Sequence, residues 1–197
     1  AYIYIDADNQ RHTLARPLLA ALRARGLTPR AARLFGNNVA WSLSQWHATL
    51  LQDPALTRSA QAEVVPRTPQ AADCALMLAL GGSLHAHLAA RETVVIVSRD
   101  TALVACAERV AASGIPCLVA HHATGTPARL PHARAEVLAI APDEGAKDVT
   151  TRVQALMRAL RGDIPRDQAG QLLRAAGLDR KAREALYKSM GPLAGAA

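Results

Sequence analysis

The sequence contains few aromatic residues and few cysteines. Aromatic residues make up 3% of the 197 residues, with a single Phe, whereas 50% of the residues are hydrophobic. A buried core must therefore be built mainly from Leu, Val, Ala and Ile. Cys74, Cys106 and Cys117 form no Cys-x-x-Cys pair, and each lies in an apolar run. We expect three buried, reduced thiols rather than a disulfide framework.

Other absences exclude whole classes of protein. The chain has no apolar stretch of transmembrane length and no signal-peptide pattern, so we expect no membrane association. With reduced thiols, this predicts a cytoplasmic protein. No Gly-x-x-x-x-Gly-Lys-Ser/Thr loop is present, and no Gly-x-Gly-x-x-Gly follows the first apolar run. A nucleotide cofactor is therefore unsupported, and the histidines show no spacing typical of a zinc site.

Acidic residues are outnumbered by basic ones, which gives a net charge of +7. Residues 1–147 carry 14 basic and 11 acidic residues, a net of +3, whereas residues 148–197 carry 9 and 5, a net of +4. Basic chains favour polyanionic partners because neutralised phosphates release counterions. The dense positive charge after residue 147 is equally typical of a solvated helical surface.

Strand-like and helix-like patterns alternate over the first 140 residues, which predicts an α/β fold. We expect three layers, α/β/α, around a central parallel sheet in a domain of residues 1–145. A basic helical segment, residues 148–197, follows. The expected strands are Tyr2–Ile5, Ala31–Phe35, Glu63–Val65, Thr93–Val97, Ile115–Ala120 and Glu136–Ile140, and the expected helices are His12–Arg25, Ala40–Leu51, Ala71–Ala89 and Ala102–Ala112.

Acidic residues stand at the ends of two of these strands. Asp6 follows the first strand, Asp100 follows the most apolar strand, and Asp73 lies at the start of a long helix. The carboxyl ends of parallel strands share one edge, where ligands bind. Converging carboxylates repel one another unless a cation lies between them, and oxygen ligands favour Mg²⁺ or Mn²⁺. Asp73 and Asp100 are equally explained as helix caps. Asp8 is either a turn residue or a metal ligand, and Asn9 either caps the first helix or binds a phosphate or a ligand carboxylate.

Three motifs in order resemble those of NYN domains, a branch of the PIN-like nucleases. Ile5-Asp6-Ala7-Asp8-Asn9 resembles their opening Asp-x-x-Asn. Residues 72–77 resemble the motif in which an aspartate begins an apolar helix, and residues 95–100 resemble the motif in which Ser-x-Asp follows a strand. Residues 108–119 resemble the helix, glycine and strand that come next, so the resemblance covers roughly residues 2–120.

The resemblance implies a PIN-like (Rossmann-like) fold and a metal-dependent endoribonuclease. Asp6, Asp73 and Asp100 would be the catalytic ligands of Mg²⁺ or Mn²⁺, with Asn9 and Ser98 as supporting polar groups. The implied partner is RNA, with single strands favoured, and DNA stays open as a substrate because nothing in the sequence identifies a 2′-hydroxyl contact.

The chain departs from the family at one position. Many relatives carry a further aspartate two residues after the one that matches Asp100, and this chain has Ala102 there. Two functions follow: a metal-dependent ribonuclease, or a catalytically reduced RNA-binding or regulatory module. In the first case we expect Asp8 to supply the missing acid as a supporting residue, which Asp8→Ala activity close to that of the native protein would rule out.

Several further interpretations concern binding. Arg99, Arg11 and Arg67 are candidates for contacts with substrate phosphates, although each is also explained as a surface salt bridge. The segment after residue 147 resembles the small helix-turn-helix-like modules that accompany some NYN domains. It would hold RNA, or it would pack on the sheet domain or on a second subunit, which leaves a homodimer open. Asp6-x-Asp8 also resembles the Asp-x-Asp-x-Thr opening of haloacid-dehalogenase-like phosphatases, but Gln10 stands at the Thr position.

Overall fold

A computed structural model of the protein describes residues 1–37, 42–123 and 134–141. Six parallel strands form one sheet in the order β3-β2-β1-β4-β5-β6. Helices lie against it, which confirms the α/β fold with a parallel central sheet and three layers. The strands are β1 Tyr2–Asp6, β2 Ala31–Gly36, β3 Ala60–Val64, β4 Val94–Val97, β5 Cys117–His122 and β6 Glu136–Ile140, and the helices are α1 Ala15–Ala24, α2 Ser42–Leu50, α3 Ala71–Ala89 and α4 Thr101–Ala112.

The core lies on both faces of the sheet, as β4 illustrates. Val95 and Val97 belong to one apolar cluster with residues of α1 and α2. Val94 and Ile96 belong to a second cluster with residues of α3 and α4. Successive side chains of a strand point to opposite faces, so a strand covered on both sides must be apolar at every position. Each such side chain contributes about 1.5–3 kcal/mol through burial.

The order of the strands reverses between β1 and β4. The chain moves outward from β1 through β2 to β3, then returns to the other side of β1 and moves outward again through β4, β5 and β6. The order 3-2-1-4-5-6 is that of doubly wound sheets, which bind ligands at the carboxyl end of this reversal point. In this fold a ligand site is therefore expected at the carboxyl ends of β1 and β4.

Most element boundaries lie within a residue or two of the sequence-based expectation, and three of the differences have a clear physical reason. The first helix opens as a 3-10 turn, His12–Leu14, because Pro17 has no N–H with which to continue α-helical bonding into that turn. β3 begins three residues early, because Ala60 pairs with Ala32 at an exposed edge where polar residues hide the strand pattern. β5 extends to His122 through pairing with β6.

The cysteine prediction was wrong in part. Among the described residues all three thiols are free, and Cys117 is buried, but Cys106 is half-buried and Cys74 is exposed. The apolar residues around Cys74 suggest a buried thiol, but Cys74 lies on a face of α3 that is exposed to solvent. None of the helices described is both long and apolar enough to cross a membrane.

The chain divides into two units, Ala1–Pro142 and Asp143–Ala197. The described residues belong to the first unit. The expected division into residues 1–145 and 148–197 stays a prediction, and the basic helical segment lies outside the described residues, as do Ala40 and Trp41 at the start of the expected second helix.

Candidate functional site

A cleft of about 410 Å³ lies at the carboxyl edge of the sheet, where the strand order reverses. Its walls come from the segments that follow β1, β2, β3 and β4 and from the first turn of α3. The chemistry of these walls is mainly acidic. The charged and amide side chains among the lining residues are Asp6, Asp8, Asn9, Asn37, Arg67, Gln70, Asp73 and Asp100.

Asp6 is the last residue of β1 and is only 2% exposed. Its carboxylate accepts hydrogen bonds from Ser98 Oγ at 2.9 Å and from the backbone N–H groups of Asn9 and Asp8 at 3.1 and 3.3 Å. Burial raises the pKa of Asp6 to about 6; the Ser98 hydroxyl opposes this rise and the charge of Asp73 adds to it. Ionising Asp6 therefore costs free energy that a nearby cation would offset.

Asp100 is held next to Asp6 through Ser98, which is fully buried. The Asp100 N–H donates to Ser98 Oγ at 3.0 Å, while that hydroxyl donates to Asp6. Asp100 is also the N-cap of α4: its Oδ1 accepts from Ala102 N at 2.8 Å and from Leu103 N at 3.4 Å. The capping interpretation is confirmed, and it occupies only one of the two carboxylate oxygens.

Asp73 is the third residue of α3, and the interpretation of this residue as a helix cap was wrong. The N-cap is Gln70, in the left-handed conformation with φ 63°, and no side chain caps the helix. Within the described ranges, no group donates a hydrogen bond to the half-buried Asp73 carboxylate. Burial raises its pKa, and the charges of Asp100 and then Asp8 raise it further.

Asp8 connects the loop after β1 to the end of β2. Its two carboxylate oxygens lie 3.1 and 3.0 Å from Asn37 N, which donates to them. This close approach requires Gly36, because a Cβ at that position would lie 2.9 Å from Asp8 Oδ1. Asp8 thus has the turn role that the sequence suggested, and its charge also acts on Asp73.

The four aspartates of the cleft, Asp6, Asp8, Asp73 and Asp100, have few positively charged neighbours. Within the described ranges, every ion pair of an acidic side chain involves another residue, namely Asp53, Glu63, Glu92 or Glu136. Of the three arginines expected to bind nucleic acid, Arg67 lines the cleft. Arg11 and Arg99 are exposed and are not part of its lining.

The donor set suits a divalent cation that keeps part of its hydration shell. Four carboxylates supply hard oxygen ligands, and the pKa values of Asp6 and Asp73 are raised by burial and further by the charges of neighbouring carboxylates. In the described part of the chain no three His, Cys, Asp or Glu side chains converge closely enough to enclose an ion. Mg²⁺ does not need such a cage, because it usually binds one or two carboxylates together with waters and substrate phosphates. The residues present therefore fit Mg²⁺ or Mn²⁺.

Asn9 does not cap the first helix, as one interpretation had it, since the N-cap of the 3-10 turn is Arg11. Asn9 Oδ1 instead accepts hydrogen bonds from Arg99 N at 3.0 Å and from Gln10 Nε2 at 2.6 Å. Sequence reasoning missed Gln10 and Asn37. Asn37 follows β2 directly, so the rule that located Asp6 would have found it. Gln10 gave no signal, because its other partner, His122, lies 112 residues away.

Comparisons with known proteins add little to this geometry. No protein-family model matches the chain. No curated protein matches it. Among solved structures, the chain is similar to a protein of unknown function from Vibrio parahaemolyticus, with 15% sequence identity and a TM-score of 0.49 over 73% of this chain and 92% of that one.

Proposed function

We propose that the protein is a metal-dependent endoribonuclease with an NYN-type, PIN-like domain. The observation that carries the proposal is the group of four aspartates at the reversal point of the sheet. Asp6, Asp8, Asp73 and Asp100 line one cleft and have no ion-pair partner among the described residues. Burial raises the pKa values of Asp6 and Asp73, and the charges of other members of the group raise them further. Clustered carboxylates repel one another and so destabilise the folded state. Such clusters are typical of functional sites, where a bound cation offsets the repulsion.

The proposed reaction is the hydrolysis of an RNA phosphodiester bond. A bound Mg²⁺ or Mn²⁺ would supply an activated nucleophile and neutralise charge on the phosphate. Asp6, Asp73 and Asp100 would hold the cation, some of them directly and some through its bound waters, with Asp8 as the supporting acid in place of the one absent at Ala102. Ser98 keeps Asp6 and the Asp100 backbone at fixed separation. Arg67 would contact the scissile phosphate, because it lines the same cleft.

The substrate class follows from charge and from access to the cleft. The net charge of +7 favours a polyanion. Arg11 and Arg99, which are exposed outside the cleft lining, would contact flanking phosphates of a single strand that crosses the edge of the sheet. The exposed free thiol of Cys74 is compatible with a reducing compartment, which supports a cytoplasmic location.

One observation favours a second function, a catalytically reduced RNA-binding or regulatory module. Ala102 contributes only its N–H to Asp100 and has no acidic side chain to offer a cation. If Asp8 does not compensate, the cation would bind weakly and RNA would be bound without being cut.

The substitution Asp100→Asn tests the proposed function. Asn is as good an N-cap as Asp, so α4 and the fold should be preserved. We expect Mg²⁺-dependent cleavage of labelled single-stranded RNA to fall by about 100-fold or more, because a charged ligand is lost. Glu136→Gln is the matched control, because it also removes one carboxylate, from an exposed pair with Arg25, and should cleave like the native protein. Equal cleavage by native protein and Asp100→Asn would overturn the assignment.

A further inference from the structure

A buried glutamine joins the loop after β1 to two other parts of the fold. Gln10 is 3% exposed although its side chain is polar. Its Oε1 accepts a hydrogen bond from His122 N, at the carboxyl end of β5, at 3.1 Å. Its backbone carbonyl accepts from Trp46 Nε1 of α2 at 2.8 Å. Gln10 therefore fixes the loop that carries Asp8 and Asn9 from two directions.

Asn9 extends this connection to the end of β4. Its Oδ1 accepts from both Gln10 Nε2 and Arg99 N. Two N–H donors at one end of an amide identify that end as the oxygen and fix the plane of the group. The NH₂ end is then the remaining donor, and within the described ranges no residue accepts a hydrogen bond from it. Because Asn9 lines the cleft, this donor belongs to the same cavity as the aspartates.

We propose that Gln10 is a positioning residue of this site, an inference that rests on the proposed function. Gln10 is absent from the lining of the cleft and acts through Asn9. By fixing the Asn9 amide it keeps a hydrogen-bond donor turned toward a substrate oxygen, and through Arg99 N it holds the loop that leads to Asp100. A carboxylate cluster binds the cation, and this donor contacts an oxygen of the phosphodiester or of the sugar beside it.

Amide hydrogen exchange of the full chain tests the positioning without any assay of activity. Gln10→Met keeps the length and burial of the side chain and removes its two side-chain hydrogen bonds, to His122 N and Asn9 Oδ1. We expect faster exchange at His122 N, which loses its hydrogen bond to Gln10 Oε1, and also at Arg99 N, which Gln10 does not contact. Tyr4→Phe is the matched control, because it removes a buried hydrogen bond to His87 and should leave Arg99 N unchanged. Unchanged exchange at Arg99 N in Gln10→Met would overturn the proposal.

A double-mutant cycle tests whether the positioning matters for cleavage. We expect Gln10→Met and Asn9→Ala each to lower kcat by about 10- to 100-fold, as losses of supporting groups do. If Gln10 acts through Asn9, the double variant should be no worse than the more damaged single variant. Multiplied effects would overturn the proposal. Native protein without metal-dependent cleavage would overturn the proposed function, and the exchange at Arg99 N would still decide whether Gln10 positions Asn9.

Discussion

The two ends of α3 carry polar groups of opposite kinds. The last turn contains His87, which is buried and has a partner on each ring nitrogen: Tyr4 Oη at 2.8 Å from Nε2 and Glu92 Oε2 at 2.9 Å from Nδ1. A neutral imidazole that donates from Nδ1 and accepts at Nε2 satisfies all three groups. The first turn contains Asp73, whose neighbours in the cleft are three more carboxylates.

The polar groups around His87 stabilise the fold, whereas the carboxylates around Asp73 destabilise it when no ligand is bound. Around His87 each donor meets an acceptor and Glu92 has a basic neighbour in Arg30, 3.9 Å away, so the network is complete without a ligand. Burial raises the pKa of Asp73, and the charges that raise it further, those of Asp100 and Asp8, are both negative. Buried polar groups cost free energy unless they are paired, so the carboxyl edge should gain stability when a cation binds.

Substitution of Asp73 should lower the cleavage activity strongly without lowering the stability of the protein. Asp73→Asn should reduce RNA cleavage by about 100-fold or more, and in a chelator it should leave the thermal midpoint unchanged or raise it, because it removes a repelled charge. Asp53→Asn is the matched control at a paired aspartate, since Asp53 accepts hydrogen bonds from Arg23 and from Ala55 N. It should cost about 1–3 kcal/mol of unfolding free energy and keep cleavage. A lower thermal midpoint for Asp73→Asn in chelator would show that the Asp73 carboxylate stabilises the metal-free fold.

A second prediction uses the pH dependence of the free energy of unfolding. The folded pKa of Asp6 is about 6, against an ordinary value of 3.8, so the folded state binds a proton that the unfolded state has released. Without metal, the stability due to this group is present below about pH 4 and is lost as pH rises to about 6, by roughly 3 kcal/mol at most. Asp6→Asn should remove this part of the pH dependence, which parallel urea titrations measure. A native-minus-variant difference that does not change with pH would be inconsistent with it.

The smallest expected effect is at the other end of α3. Tyr4→Phe leaves His87 Nε2 without its partner, and we expect a loss of about 1–3 kcal/mol in unfolding free energy. RNA cleavage by Tyr4→Phe should remain equal to that of the native protein, because the change lies outside the acidic cleft. Loss of cleavage without loss of stability would show that the two ends of α3 are not independent.

Much of this fold was predictable from the sequence. The apolar run at β4 and Gly26, which directly follows the expected helix His12–Arg25, are enough to locate their elements, and α3 has the expected bounds Ala71–Ala89. The edge strand β3 was located less well. Its residues after Ala60 are exposed on both faces of the sheet, so its sequence shows no alternation of buried and exposed positions. The strand order was not predictable, because it depends on which strands pair with one another and not on the residues within each strand.

The site was predictable where it depended on strand ends. Asp6 and Asp100 follow β1 and β4, and both lie in the cleft as that rule requires. Asp73 was placed there by family resemblance, and its lack of a capping hydrogen bond strengthens the case for a ligand. Gln10 could not be found in this way, because its hydrogen bonds join segments that are distant in sequence and meet only in the folded chain.

We propose that the four aspartates of the carboxyl edge together bind a divalent cation. Calorimetric titration of Mn²⁺ into the native full chain at pH 7.5, beside the double variant Asp6→Asn/Asp73→Asn, tests it most directly. We expect the native protein to bind one or two ions and the double variant to lose that binding. No binding by the native protein, or equal binding by both, would contradict it.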